Sequence, residues 1–254
     1  MKKVILAILT FGLLAVNNPA LVMATPTIIS DNYIGAEPTH NYAHVDSIGG
    51  VDFNVTQMAV DFSGNTMKVD IYADKYFGKQ LPFESTLLGD LFISTNGLNT
   101  AYPTGGTKED TMYTGEQWEW VAALDNHGEK NQTSGTIGLY AVNPGKIEES
   151  NLNGLDPNHW IYRADQEWAY DTSGQNAISL GTWGRNNSML SLSFVMPNTD
   201  DWKMATEFGL HWGMSCGNDV IEGEAPAPVP EPATMFLFGT GLLGLAAAVR
   251  RRSR

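Results

Sequence analysis

The sequence predicts an all-β protein, an antiparallel β-sandwich of jelly-roll or concanavalin-like type. Three observations predict it. Apolar and polar residues alternate with period two in segment after segment; clusters of Gly, Asn, Asp and Pro separate these segments; and nothing in the body longer than two turns has helical periodicity. The pattern implies eight to twelve short strands, each with one face turned to a core. Of 254 residues, the body from 25 to about 229 is the size at which a sandwich forms one domain.

The N-terminus is set apart from this body. Lys2 and Lys3 precede the apolar run from Val4 to Val16, and Val22-Met23-Ala24 supplies small or aliphatic residues before Thr25. That is the pattern of a secretory signal peptide over residues 1–24, cleaved after Ala24.

The first strands follow from Val51 onward. Val51, Phe53 and Val55 alternate with Asp52 and Asn54, and after the Ser63-Gly64-Asn65 turn Met67, Val69 and Ile71 alternate with Lys68 and Asp70, so the pair reads as a hairpin. A third strand covers about 88–95, with Leu91 and Ile93 on one face and Asp90 and Phe92 on the other. Residues 96–115 are rich in Gly, Thr and Pro and read as a long loop, a lip for any binding face. Strands resume at 117–124, where Trp118 and Trp120 are expected to point the same way, and at 136–142. The middle, 143–184, carries the Asn143-Pro144-Gly145 turn, a short helix near 147–152, and aromatic strand pieces at 159–162 and 166–170. The clearest pair closes the body: Leu190, Leu192, Phe194 and Met196, then Phe208, Leu210, Trp212 and Met214, each alternating with small or polar residues. The sandwich is expected to end at 224, with a Pro-rich linker over 225–232.

The C-terminus then changes character. Val229-Pro230-Glu231-Pro232 is followed by an uncharged apolar run, 233–249, and by Arg250, Arg251, Arg252 and Arg254. As a helix the run would extend about 25 Å, enough to cross a hydrocarbon core narrowly. A basic cluster beside it holds that end, residues 250–254, on the cytoplasmic side and leaves the body outside. The Pro-Glu-Pro element, the apolar helix with small residues and the closing arginines, in this order, resemble the PEP-CTERM sorting signal of exported Gram-negative proteins. The resemblance covers about a tenth of the chain. It implies processing near Pro230 to Pro232 by an exosortase, a membrane enzyme with a cysteine nucleophile, and release or transfer of the body to the cell surface. An ordinary membrane anchor on a Pro-rich stalk is the alternative. Gly239, Gly241 and Gly244 spell a dinucleotide fingerprint, but the strand before it and the acidic residue about twenty positions on are missing. Small residues on a membrane helix account for them.

With both ends removed, nine of the 15 basic residues remain against all 28 acidic ones, a net charge near −19. Nucleic acid is thereby excluded as a partner, and the inner membrane is met only transiently, through the apolar tail. Neutral polymers such as extracellular polysaccharide, and cations, suit this charge. The single cysteine, Cys216, excludes an internal disulfide and reads as a buried apolar residue.

Few motifs suggest chemistry. Gly213 to Gly217 spell G-x-S-x-G around Ser215, but no helix pattern and no histidine follow. No paired-carboxylate spacing of a jelly-roll glycosidase occurs, and the expectation is a protein that is not an enzyme. No cofactor is expected, with calcium the one metal that the Asp- and Asn-rich body admits. Its candidate ligands are Asp46, Asp52, Asn218 and Asp219, which the first and last strands could bring together; a solvated acidic surface is the plainer account. Of the seven tryptophans, Trp160, Trp168 and Trp183 stand in irregular segments beside Asn, Gln and Asp and are the candidates for stacking on sugars. The segment 211–223 also resembles, more softly, the closing strand of β-sandwich bodies joined to PEP-CTERM tails. The three roles left open are a structural matrix protein, a carbohydrate-binding module, calcium-dependent or not, and a polysaccharide hydrolase.

Overall fold

The computed structural model describes residues 25–31, 52–77, 86–98, 112–113, 115–128, 132–150, 165–228, 239–241 and 249–250. Among them the strands are β1 (Thr27–Ser30), β2 (Val55–Ser63), β3 (Thr66–Ala73), β4 (Leu91–Ser94), β5 (Trp120–Leu124), β6 (Ser134–Ala141), β7 (Ile147–Glu149), β8 (Glu167–Tyr170), β9 (Ser179–Arg185), β10 (Met189–Val195), β11 (Glu207–Gly213) and β12 (Val220–Pro226). Among the described residues of the body, one short α-helix, α1 (Asp200–Met204), joins β10 to β11. The antiparallel all-β expectation therefore holds.

Ten strands form one continuous sheet in the order β1-β2-β3-β10-β9-β6-β5-β4-β11-β12, every pair antiparallel, and β7 and β8 form a separate two-stranded ribbon. The alternation sets the register. On β10 and β9, Leu192 pairs with Trp183, both inward, while Ser193 pairs with Thr182, both outward. Slipping either strand by one residue would exchange these faces and put the core residues in water. The inner face carries the main core, including Met58, Val69, Ile71, Leu91, Trp120, Leu192, Phe194, Phe208 and Trp212. Since residues from β1 through β12 enter this one cluster, the sheet rolls on itself around a shared interior.

The roll closes where its two edges meet. The Val55 N–H at the start of β2 donates to Asp219 Oδ2 (2.6 Å), and the Val220 N–H at the start of β12 donates to Asp219 Oδ1 (2.9 Å). Gly223 of β12 faces Ile29 of β1 so closely that a Cβ there would lie 2.3 Å from Ile29 Cγ2. Only glycine allows the edges to approach this far.

A second, smaller cluster lies on the outer face of β4 and β5: Phe92, Trp118, Val121 and Tyr170, with Leu98, Tyr140, Val142 and Ile147 packed against it. The β7–β8 ribbon covers it. Three expectations are corrected in this region. Trp118 and Trp120 point to opposite sides, into the outer and inner clusters respectively, because Trp118 precedes β5 and the strand's alternation begins only at Trp120. The helix expected near 147–152 is instead strand β7 over Ile147–Glu149, since the Asn143 side chain closes a turn on the Gly145 N–H (3.2 Å) and the chain leaves it extended, paired with β8. The expected linker from 225 begins later: β12 continues to Pro226, opposite Glu207, and the Ala227 N–H still donates to Thr206 O (2.9 Å). Pro226 is tolerated because β12 is an edge strand. The strand piece expected at 159–162 lies outside the described residues.

Candidate functional site

The outer face of the β12–β11–β4–β5 half holds a buried polar cluster. The register aligns Glu222, His211, Phe92 and Val121 across these four strands. His211 is 1% exposed; its Nδ1 lies 3.1 Å from Glu222 Oε2 and its Nε2 lies 3.2 Å from the Glu167 carbonyl oxygen. Both ring nitrogens face acceptors, so both must donate, and the ring is an imidazolium. Burial alone would lower its pKa. The hydrogen bond to Glu222 and the charges of Glu167 and Glu222 outweigh burial and push it up to about 9. Glu167, on β8, accepts from Trp118 Nε1 (3.3 Å), and its pKa is raised by desolvation against the lowering effect of His211. The Trp118 ring centroid stands 5.5 Å from that of His211, and Phe92 meets His211 edge-on at 6.0 Å.

A second buried carboxylate fastens the same ribbon. Asp90 accepts from the Leu124 N–H through Oδ1 and the Tyr170 N–H through Oδ2, both at 2.8 Å. Its burial raises the pKa to about 6, opposed by the charge of His127, whose Nδ1 is 3.4 Å away, and by those two N–H groups. Both clusters thus tie β8 to the main sheet. With His211 held as a cation and both its N–H groups engaged, it has no lone pair to accept a proton from a nucleophile. Ser215 is fully buried and its Oγ accepts from the Leu87 N–H (2.8 Å), so the G-x-S-x-G segment closes a turn and does not present a nucleophile.

The sequence-derived sites fare unequally. Trp168 and Trp183 are corrected: both are buried, at 4% and 2% exposure, and neither ring face is open to a sugar. Trp183 is an inward residue of β9 whose Nε1 donates to Asp125 Oδ1 (2.7 Å), and Trp168 packs on His127 with centroids 5.2 Å apart. Of the calcium candidates, Asp52 is exposed and pairs with Lys75 (3.1 Å), while Asn218 and Asp219 are buried, with Asp219 committed to the closure. Asp219 accepts from the Val55 backbone N–H at the start of β2, and Asp52 turns to Lys75. Among the described residues no group of three His, Cys, Asp or Glu is arranged to hold a metal ion. Asp46, Trp160, Ala24, Val229, Pro230, Glu231, Pro232, Arg251 and Arg252 lie outside the described residues, and Arg250 is helical. Among the described residues no helix is long and apolar enough to cross a membrane.

Sequence reasoning missed the His211 cluster. Its signal was the single His211 within the alternation of β11, with Glu222 eleven residues on and Glu167 far away in an irregular stretch. Only the fold brings them together.

The molecule is thus an acidic, rolled antiparallel β body followed in the chain by a C-terminal tail. The tail identifies itself: residues 228–252 match the family model of the PEP-CTERM protein-sorting motif. No curated protein and no solved structure is similar enough to this chain to count as a match. The tail therefore marks the chain for export and exosortase processing, and the match begins one residue after the last backbone bond that fastens β12.

Proposed function

We propose that the protein is an exported, non-enzymatic component of the cell surface or the extracellular polysaccharide of a Gram-negative bacterium. Its signal peptide is removed after Ala24, residues 233–249 hold the precursor in the inner membrane, and an exosortase cuts near Pro230 to Pro232. The observation that carries this reading is the sorting motif over 228–252, placed immediately beyond the folded body. The burial of Ser215 and the locked His211 support a body without catalytic work. The net charge near −19 favours a neutral hydrated matrix over anionic partners. We read the rolled sheet as a flattened sandwich of jelly-roll or concanavalin-like kind, supported by the single interior that strands from both halves share.

The test is the intact mass of the protein recovered from producing cells with and without their exosortase. Residues 1–24 should be missing in both strains, and the arginine-tipped tail missing only where the exosortase is present. A tail kept equally in both strains would reduce the motif to a simple anchor.

A further inference from the structure

We infer that the outer face of β6, β9 and β10, which no element among the described residues covers, is a contact surface for a neutral polysaccharide chain. The inference rests on the export reading for its setting, though its test is separate. The two halves of the outer face differ. Over β4, β5 and β11 the β7–β8 ribbon buries the outward residues. Over β6, β9 and β10 the outward residues are half-buried or exposed, and they are Ser, Thr, Gly, Leu, Val, Met and Tyr, with no charged side chain among them. On a body near −19 this strip, three strands wide, carries no charge. At its border on β3 the charges cancel, since Lys68 Nζ and Asp70 Oδ2 pair at 2.6 Å.

The strip also has the chemistry that a sugar needs. Register places Thr136, Thr182 and Ser193 side by side on adjacent strands, a row of hydroxyls about 4.8 Å apart. Next to that row stand Leu180, 70% exposed, and Val195, 48% exposed. At the edge of the strip Tyr140 lies over Gly138: a Cβ at 138 would come within 2.6 Å of the Tyr140 Cε2 and hydroxyl. Glycine there lets the half-buried ring lie against the sheet, where it also neighbours Tyr170 of the covered cluster with centroids 6.3 Å apart; it bounds the strip, and the exposed Leu180 and Val195 supply the apolar surface on which the C–H face of a sugar packs. The strip is about 20 Å long, from the length of β10, which suits several consecutive sugar units.

A second copy of the chain is the other occupant to weigh. Two bodies of this charge repel, and the strip itself holds no cation to pair with a second copy's carboxylates. A neutral, hydroxyl-bearing polymer does not meet this objection.

The test uses the full chain as it is recovered from producing cells. Its retention is measured on microcrystalline cellulose, on chitin, on dextran gels and on the polysaccharide extracted from the same cells. Leu180→Asp and Thr182→Glu put a charge on the strip without touching the core. Each should weaken retention at least tenfold on whichever polymer holds the wild type, while Met204→Asp, on α1 and equally exposed, should change nothing. Unchanged thermal unfolding in all three variants keeps the comparison one of surface chemistry. No retention on any of the four polymers, or equal retention by wild type and Leu180→Asp, overturns the inference. So does a concentration-dependent dimer in sedimentation that Leu180→Asp dissolves. Failure of the mass experiment with binding intact would sink the sorting reading and leave the strip standing; the converse result would do the opposite.

Discussion

The imidazolium of His211 makes stability depend on pH in a direction that can be worked out beforehand. Its pKa rises from an ordinary 6.5 to about 9 in the folded body. A base with a raised folded pKa contributes stability that is fully present below the unfolded value and is lost as the pH climbs through the folded one. The window is therefore 6.5 to 9. A difference of about 2.5 pKa units is worth about 3 kcal/mol at 1.36 kcal/mol per unit. In a domain of this size each kcal/mol moves Tm by about 2–4 °C, so Tm should fall by about 6–12 °C between pH 6.5 and 9.5. The assay is thermal unfolding followed by circular dichroism across that range, for wild type and for the double variant His211→Gln, Glu222→Gln. The double variant keeps a side-chain hydrogen bond but carries no titrating pair, so its Tm should be flatter by that amount. The Glu167 carboxylate remains in both proteins, but the variant removes both the His211 charge that lowers its pKa and the Glu222 charge that raises it, so Glu167→Gln in each background separates its contribution. A parallel fall in the two proteins would refute the idea that His211 is a cation held between Glu222 and Glu167.

Two further outcomes follow from the closure and the core. Gly223→Val should destabilise the body by about 1–3 kcal/mol in denaturant titrations, because the new Cβ would stand 2.3 Å from Ile29 Cγ2, and Ile29→Ala in the same chain should recover part of that loss; a Gly223→Val body as stable as wild type would mean that the edges do not meet there. Cys216, fully buried, should resist a thiol reagent in the native protein and react only as fast as the body unfolds, so labelling far ahead of unfolding would place it at the surface.

Strands that alternate cleanly were legible in the sequence. β3 and β10 present Met67, Val69, Ile71 and Leu190, Leu192, Phe194 to the core with polar residues between them, and both lie in the middle of the sheet, where one face must be dry. β9 was not legible, because its inward positions include Gly181, Trp183 and Arg185, and a glycine and an arginine on either side of one tryptophan give no period-two hydrophobic signal. Arg185 is kept at the end of the core by backbone acceptors: its Nε donates to Gln132 O (2.8 Å). Trp183 was misjudged for the same reason, being an aromatic in a stretch that looked irregular and that the fold makes a central strand. The outer cluster was beyond reach because Trp118, Glu167 and His211 come from three distant parts of the chain and meet only when β8 is laid over β11. The sorting tail, by contrast, is a linear signal read by another enzyme, and for that reason it was fully legible before any fold was known.

The closure also limits where the two proposed processing events could fall without harm to the body. β1 begins at Thr27, three residues after Ala24, and its Ile29 fills the space beside Gly223 of β12. β12 in turn is held by seven register pairs to β11 and by Asp219 at its start, and it ends at Pro226, two residues before the matched motif. A cut five residues inside the N-terminal site, or one before Pro226 at the other end, would therefore remove part of an edge strand and expose the apolar seam that the two edges bury together, leaving unpaired strand edges open to aggregation. The fold and the proposed processing consequently agree on the same boundaries: what the sheet needs in order to close is what would remain after removal of both hydrophobic ends. A body truncated at Gly223 should accordingly lose its cooperative unfolding transition, whereas one ending at Pro228 should keep it.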